Sequence, residues 1–148
     1  MKHKIEIVYA NEKCKIERKT EGAFAFDVVA NISEPITIKK GQMVAIPTGV
    51  FVDVKDKHVG CMGFIRSGLA FNHGLTLVNA VGVIDSDYRG EIKFGIFNLG
   101  FADDYTIQPF ERIGQVAFML AVDEELVEVK ELSKTKRADG GFGKSGRF

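Results

Sequence analysis

The chain has 148 residues, with 20 Lys and Arg residues against 20 Asp and Glu residues, so its formal net charge is zero. This length fits one domain that buries roughly two thirds of its unfolded surface in a single core. Because the charges balance, no general attraction draws the chain to nucleic acid or to membranes, and we expect it to bind neither directly.

Cysteine usage and apolar runs predict a soluble protein of the cytoplasm. Cys14 and Cys61 lack the spacing of a metal site, and two thiols in a domain of this size favour a reducing compartment over a disulfide framework. Residues 1–6 lack the apolar region of a signal peptide. The longest apolar run, residues 116–122, is too short to span a bilayer.

Short apolar or alternating segments recur along the chain and predict an all-β sandwich or barrel. The predicted strands are residues 5–8, 36–38, 44–46, 50–54, 92–97, 116–121 and 127–129. Helix is nearly absent from the pattern. The one predicted helical turn covers residues 67–72, with Ser67 as its cap and Gly74 at its end.

Residues 82–90 combine turn formers with side chains suited to a ligand. The flanking apolar residues predict the paired arms of a tight β-hairpin, namely Val81, Val83 and Ile84 before the tip and Ile92, Phe94 and Ile96 after it. At the tip, Asp85, Tyr88 and Arg89 place a base, an aromatic face and a cation within five residues. From these nine residues alone, a plain polar turn remains the alternative.

Residues 136–148 contain four glycines and four basic residues, a composition typical of a flexible tail. Phe142 lies among glycines, as an aromatic residue in a flap over a ligand would. The run Gly143-Lys144-Ser145 is not a phosphate loop, because the required upstream glycine is missing and no helix can follow it. Together with Arg137, this run still offers cations, a hydroxyl and backbone amides to a polyphosphate.

Other positions carry side chains suited to anions, each with a plainer alternative. Arg66, Ser67 and Gly68 begin the predicted helical turn, where an anion can bind, although a helix cap with an exposed arginine explains the same residues. Gln115 precedes an apolar strand and is weak evidence by itself. Asp27 lies in an apolar stretch, where a turn acid or a paired ion is usual.

The order of these motifs resembles the five-motif signature of the homotrimeric dUTP pyrophosphatases, the dUTPases. The matching segments are residues 25–27, 66–70, 82–90, 112–115 and 137–146. The resemblance implies hydrolysis of dUTP to dUMP and pyrophosphate, which limits uracil in DNA and supplies dUMP for thymidylate synthesis. It also implies a distorted β jelly roll over residues 1–135, a flexible flap over residues 136–148, and a homotrimer with three active sites, each built from all three chains.

The resemblance further assigns roles to single residues. Backbone groups of the third motif would accept uracil, and an aromatic ring below the deoxyribose would exclude a ribose 2′-hydroxyl by shape. The residues implied to hold the base and the sugar are Asn79, Gly82, Val83, Ile84, Tyr88 and Phe142. Asp85 would act as the general base that deprotonates the attacking water.

The triphosphate and its metal are assigned in the same way. Mg²⁺ would bind mainly through the substrate phosphates, with Asp27 contacting it through water. The residues implied to bind the phosphates are Arg66, Ser67, Gly68, Gln115, Arg137, Gly143, Lys144 and Ser145. A tail that closes over the nucleotide would exclude bulk water.

The chain departs from the usual motifs at several positions. Ala25 and Phe26 stand where the first motif has glycine and tyrosine, Ile65 stands where the second usually has proline, and Gly114 stands where the fourth commonly has alanine. In the fifth motif, Lys144-Ser145 replaces a serine and a threonine. The added cation predicts a more salt-sensitive hold on the γ-phosphate.

Three other functions stay open at this point. A dCTP deaminase has a similar fold, but its arginine and serine pattern and its glutamate are not evident in this sequence. A nucleotide-gated binding protein would use the tail to control the affinity of a regulatory protein partner. A purely structural jelly-roll subunit would show no affinity for nucleotides.

Overall fold

The structure is a computed structural model that describes residues 2–140. The chain forms β-strands, one short α-helix and one 3-10 turn at Glu12–Cys14. The elements are β1 (Ile5–Tyr9), β2 (Phe26–Val29), β3 (Ile36–Ile38), β4 (Met43–Pro47), β5 (Val50–Val54), β6 (Val59–Ile65), α1 (Ser67–His73), β7 (Leu75–Leu77), β8 (Gly82–Ile84), β9 (Lys93–Asn98), β10 (Tyr105–Ile107) and β11 (Arg112–Leu120).

All strand pairs are antiparallel, and they form two larger sheets and two pairs. One sheet has the order β2-β11-β6-β8 and the other the order β4-β9-β7, while β1 pairs with β5 and β10 with β3. The inward side chains of these strands form one apolar core. The residues of this core with no more than 1% exposure include Val28, Ile38, Ile46, Val50, Leu75, Ile96, Ile107, Ile113 and Val116. This architecture confirms the all-β class with one short helix.

The predicted strands agree with the structure except at the C-terminal end. Residues 127–129 are not a strand, because the segment 121–139 is exposed throughout and pairs with no strand within residues 2–140. Strands β2, β6, β7 and β10 are absent from the prediction. In β6, buried positions alternate with half-buried ones. Because Gly60 and Gly63 occupy two of these positions, the apolar residues in the sequence do not show the alternation that predicts a strand.

The predicted pairing of the hairpin arms is wrong. Strand β8 pairs with β6, whereas β9 pairs with β4 and β7, so the two strands that flank Asp85 belong to different sheets. The apolar pattern predicts the strands correctly, but it carries no information about which edge each strand joins. Val83 is 64% exposed while Phe94 is 2% exposed, which reflects this separation.

Helix α1 ends at the predicted glycine, but the residue that caps its start differs from the prediction. Gly74 ends it in the left-handed conformation, with φ of 66°, as predicted. At the other end the N-cap is Arg66, in an extended conformation and without a side-chain cap hydrogen bond. Ser67 is therefore the first helical residue and does not cap, which leaves its hydroxyl exposed at the start of the helix.

Both cysteines are buried and neither forms a disulfide, as predicted from their number and spacing. Burial raises the pKa of the Cys61 thiol to about 12. Its strand, β6, lies in the middle of the four-stranded sheet, where the thiol acts as a small apolar side chain.

The departure at Gly114 has a structural reason in the ring of Phe94. A Cβ atom at Gly114 would lie 2.1 Å from Cε2 of Phe94 and 2.6 Å from the carbonyl oxygen of Phe64. The same ring also approaches Gly63, where a Cβ would lie 3.0 Å from Cε1. The Phe94 ring on β9 and the Phe64 carbonyl on β6 therefore leave no room for a methyl group at position 114.

The substitution Gly114→Ala tests this packing. We expect it to lower the free energy of unfolding by about 3 kcal/mol, the upper end of the cost of overpacking a core, because backbone and ring must both move. Urea unfolding at one fixed protein concentration measures the change. Gly60→Ala is the matched control on β6, since its Cβ would lie 4.0 Å from the nearest side-chain atom. Equal losses in the two variants would contradict this explanation.

Candidate functional site

A cleft opens between β8 and β9, where the two sheets diverge. Its volume is about 230 Å³. We call it the β8 cleft, and it is lined by Leu77, Val78, Asn79, Gly82, Val83, Ile84, Lys93, Phe94 and Gly95. Four of the residues predicted to hold a base, Asn79, Gly82, Val83 and Ile84, therefore line one cavity.

The chemical character of the β8 cleft comes from an edge strand. In residues 2–140, β8 pairs with a strand on one side only, namely β6, and its other edge faces the cleft. Such an edge presents backbone N–H and C=O groups to a ligand. A planar heterocycle that carries both donors and acceptors can bind there as a short strand would.

Asp85 and Tyr88 lie in the loop that leaves β8 at the mouth of this cleft. Asp85 is exposed, and its backbone carbonyl accepts a hydrogen bond of 3.1 Å from the amide of Tyr88, which closes a turn. The Tyr88 hydroxyl donates to the carbonyl of Glu91 at 3.2 Å. A Cβ at Gly90 would lie 2.2 Å from that hydroxyl oxygen, so the ring rests against the glycine.

A second group of predicted residues lies on the sheet β2-β11-β6. Nη1 of Arg112 donates to Oδ2 of Asp27 at 3.0 Å, so Asp27 is the paired ion that its apolar context predicts. Nη1 of Arg66 donates to the carbonyl of Arg112 at 3.3 Å. Gln115 lies opposite Asp27 on one side and opposite Phe64 on the other. We call Asp27, Arg66, Arg112 and Gln115 the Arg66 cluster.

A groove of about 360 Å³ lies beside the Arg66 cluster. Its lining combines charged and amide groups with apolar side chains, namely Lys19, Ala23, Phe24, Ala25, Asp27, Phe64, Gln115, Ala117 and Met119. Phe24 is 66% exposed there. The groove therefore offers a cation, a carboxylate and an amide along one wall.

The loop before β11 is fixed by Glu111, a residue without a role in the sequence-based prediction. Its carboxylate accepts hydrogen bonds from the Tyr105 hydroxyl and from the amide of Gln108 at 2.9 Å. Burial, and then the bond to Glu111, raise the pKa of Tyr105 to about 12, so this hydroxyl stays a donor through the neutral range. These bonds set the start of β11, from which Arg112 and Gln115 project.

Asp85 and the Arg66 cluster do not meet within one chain. Strand β8 runs antiparallel to β6, with Ile84 opposite Cys61. Arg66 follows Cys61 by five residues, which at the rise of a β-strand is roughly 17 Å. The loop of Asp85 and the guanidinium of Arg66 therefore lie towards opposite ends of β6.

Part of the predicted site belongs to the tail. Arg137 is exposed, and its Nε donates to the carbonyl of Gly140 at 2.8 Å. The predictions for Phe142, Gly143, Lys144 and Ser145 lie outside the described residues. Ser67 and Gly68 are exposed in the first turn of α1, next to Arg66.

Several residues of the β8 cleft have no predicted role in binding, among them two on β9. Lys93 and Gly95 lie on β9 and face the cleft. A Cβ at Gly95 would lie 3.0 Å from Cγ1 of Val78, so the glycine permits a close approach of the β7–β8 turn. A glycine inside an alternating strand is the signal that indicates such an approach.

The family model described as dUTPase matches residues 11–146. The chain is 44% identical over 129 residues to the deoxyuridine 5′-triphosphate nucleotidohydrolase of Fusobacterium nucleatum, covering 87% of each chain. It is 40% identical over 147 residues to the protein of the same name from Desulfitobacterium hafniense, covering 99% of this chain and 97% of that one. The chain belongs to the dUTPase family.

Solved structures agree with the fold. The dUTPase of Streptococcus mutans superposes with a TM-score of 0.69 at 28% identity, over 84% of this chain and 98% of that one. The dUTPase of Staphylococcus bacteriophage 80alpha with dUPNHPP gives a TM-score of 0.81 at 21% identity, over 97% and 98% of the two chains. The predicted distorted jelly roll is confirmed. No helix within residues 2–140 has the length and apolar character needed to cross a membrane.

The contact between Gly90 and Tyr88 leads to a direct prediction. A methyl group in Gly90→Ala would overlap the Tyr88 hydroxyl, so we expect the ring to leave its place and its bond to Glu91 to break. NMR cross-peaks between the Tyr88 ring protons and the α-protons of residue 90 measure the contact. Tyr88→Phe serves as the control, because the ring keeps its place without the hydroxyl. Cross-peaks that persist in Gly90→Ala would contradict the prediction.

Proposed function

We propose that this chain hydrolyses dUTP to dUMP and pyrophosphate, by attack of water on the α-phosphorus. The observation that carries the proposal is the family match over residues 11–146, which includes both the β8 cleft and the Arg66 cluster. The dCTP deaminase alternative is not favoured, because the curated relatives reported above are nucleotidohydrolases of deoxyuridine triphosphate.

The β8 cleft binds the uracil ring in this proposal. Uracil carries one N–H donor between two carbonyl acceptors, and the free edge of β8 offers complementary backbone groups at Gly82, Val83 and Ile84. Cytosine presents an amino group and a bare ring nitrogen there, so the same edge leaves its polar groups unpaired. Asn79, which lines the cleft, assists in recognition of the uracil, and Phe142 of the tail covers the ring.

Tyr88 and Asp85 act on the sugar and on the reacting water. The ring of Tyr88, tethered by its bond to Glu91, lies below the deoxyribose and leaves no room for a 2′-hydroxyl. Asp85 orients the water and removes its proton as the oxygen attacks phosphorus. The proton passes to the carboxylate, and pyrophosphate leaves with the electron pair of the broken P–O bond.

The phosphates bind to cations, hydroxyls and amides. The Arg66 cluster supplies Arg66 and Gln115, and α1 supplies Ser67 with the backbone of Gly68. The tail supplies Arg137, Gly143, Lys144 and Ser145. Phosphoryl transfer depends mainly on positioning and on neutralisation of charge, which suits such a set of donors.

The residues present fit a Mg²⁺ ion carried by the substrate. Magnesium keeps several waters and is commonly held by one or two carboxylates together with substrate phosphates. No three His, Cys, Asp or Glu side chains of residues 2–140 form a metal-binding group, while Asp27 alone places a carboxylate at the groove of the Arg66 cluster. When bound, the ion would neutralise charge on the triphosphate, and Asp27 would contact it through water.

A homotrimer with shared active sites completes the proposal. Support comes from the register of β6: Ile84, just before Asp85, lies opposite Cys61, and Arg66 lies roughly 17 Å further along the strand from Cys61. Further support comes from apolar side chains that a second chain would cover: Phe71, Leu126 and Leu132 are 85%, 92% and 86% exposed. The cytoplasmic location and a regulatory protein partner remain predictions.

A matched pair of variants tests whether the carboxylate of Asp85 is the general base. We expect Asp85→Asn to lower kcat on dUTP by about 100- to 10,000-fold, the contribution of a general base. Asp87→Asn makes the same chemical change two residues away in the same exposed loop and should keep wild-type activity. Pyrophosphate release from dUTP, dCTP and dTTP measures turnover and specificity. Ammonia release from dCTP, or full activity in Asp85→Asn, would contradict the assignment.

Sharing of sites between chains is tested by mixing two inactive variants. Asp85→Asn and Arg66→Ala are each expected to abolish activity in homotrimers. After unfolding and refolding as an equal mixture, about one site in four combines an intact Asp85 with an intact Arg66 from another chain. Recovered dUTP turnover near that fraction is the expected result, and sedimentation gives the oligomeric state. No recovery in mixed trimers would show that both residues act within one chain.

A further inference from the structure

Arg89 makes two contacts within the loop of Asp85 and one contact with another strand. Its Nη1 donates to the carbonyl of Ser86 at 2.8 Å and to that of Tyr88 at 3.2 Å. Its Nη2 lies 2.6 Å from Oδ1 of Asp53. One guanidinium thus joins two carbonyls of the turn that follows Asp85 to a carboxylate on another strand.

Asp53 is a firm attachment point for this arginine. It lies on β5, opposite Glu6 of β1, and its side chain is 23% exposed. Oδ2 of Asp53 pairs with Lys55, and Lys55 also lies 3.1 Å from Oε2 of Glu6. One oxygen of this carboxylate therefore faces Lys55 and the other faces Arg89, so the two contacts of Asp53 can be removed separately.

Strand β5 and the turn before it hold the far end of the same loop. Oε1 of Glu91 accepts a hydrogen bond of 2.8 Å from the amide of Gly49, and the amide of Ile92 donates to the carbonyl of Val50 at 2.9 Å. At its near end the loop continues from β8, which pairs with β6. Among residues 85–90, Arg89 forms the ion pair that connects this loop to the rest of the fold, through Asp53 on β5.

From these contacts we propose that Arg89 is a positioning residue for Asp85, with Asp53 as its anchor. Fixing the Ser86 and Tyr88 carbonyls fixes the turn that Asp85 begins, so its carboxylate keeps one direction at the mouth of the β8 cleft. The proposal rests on the role given to Asp85 under the proposed function. It assigns to Arg89 no contact with substrate.

The shape of the guanidinium matters more here than its charge. An exposed ion pair adds little by itself, and Arg89 is about half exposed. The guanidinium is a flat fork with several fixed donors, whereas the lysine ammonium is a compact point charge on a flexible stem. Lysine at position 89 would keep the charge opposite Asp53 and lose the simultaneous hydrogen bonds to the carbonyls of Ser86 and Tyr88.

The test compares Arg89→Gln, Arg89→Lys and Asp53→Asn with the matched control Lys55→Gln. The control removes the other partner of Asp53 and leaves the contacts of Arg89 with the loop in place. We expect kcat on dUTP to fall by about 10- to 100-fold in all three test variants, as for a slightly misplaced catalytic group. The Kd of a nonhydrolysable dUTP analogue should stay near the wild-type value, because the β8 cleft is unchanged. Lys55→Gln should keep both values.

Hydrogen exchange supplies a readout that does not depend on activity. The amide of Tyr88 donates to the carbonyl of Asp85, so its exchange rate reports the order of the turn. We expect faster exchange of this amide in Arg89→Gln, Arg89→Lys and Asp53→Asn, and wild-type exchange in Lys55→Gln. Thermal unfolding confirms that each variant is folded, and Arg89→Lys and Asp53→Asn decide the outcome if Arg89→Gln does not fold.

Two results would overturn the proposal, and both differ from the result that would contradict the proposed function. Wild-type exchange of the Tyr88 amide in the test variants would show that Arg89 does not order the turn. Wild-type kcat together with faster exchange would show that the order of the turn does not position Asp85. A wild-type chain that fails to hydrolyse dUTP contradicts the proposed function by itself, before any variant is made.

Discussion

The site depends on one constraint, which is that β8 and β9 join different sheets. If these two strands paired with each other, their backbone groups would satisfy one another and no edge would remain for a ligand. Instead β8 takes β6 as its partner and β9 takes β4 and β7, so a cleft opens between them. Phe94 lines this cleft and packs over Gly63 and Gly114, which places its ring where the two sheets diverge.

The same topology explains why the functional residues form two groups. Strand β6 lies at the centre of both, since β8 pairs with one of its edges and β11 with the other. The chain leaves β6 through Arg66 at one end, while β8 reaches the loop of Asp85 towards the other end. A reaction that needs both groups therefore needs either a long rearrangement or a second chain, and the exposed apolar residues favour the second chain.

The strands are largely predictable from the sequence, and their partners are not. The segments 36–38 and 50–54 are strands with the predicted bounds, because a period-two pattern marks them locally. The pairing of the strands around Asp85 depends on contacts between residues far apart in the sequence, so the local turn signal at residues 85–87 predicts a hairpin that does not form. The alternation at residues 127–129 does not produce a strand for a related reason, because none of the strands in the described part of the chain pairs with this segment.

The close approach of the Phe94 ring to Gly114 makes positions 94 and 114 dependent on one another over evolutionary time. In a chain with Phe94, alanine at position 114 would overlap both this ring and the carbonyl oxygen of Phe64, so it requires a smaller residue 94 together with a shift of the β6 backbone. The order of the two mutations is thereby restricted, although neither residue is assigned a part in the chemistry. Since Phe94 also lines the cleft, each step along that path would also reshape the surface that meets the base.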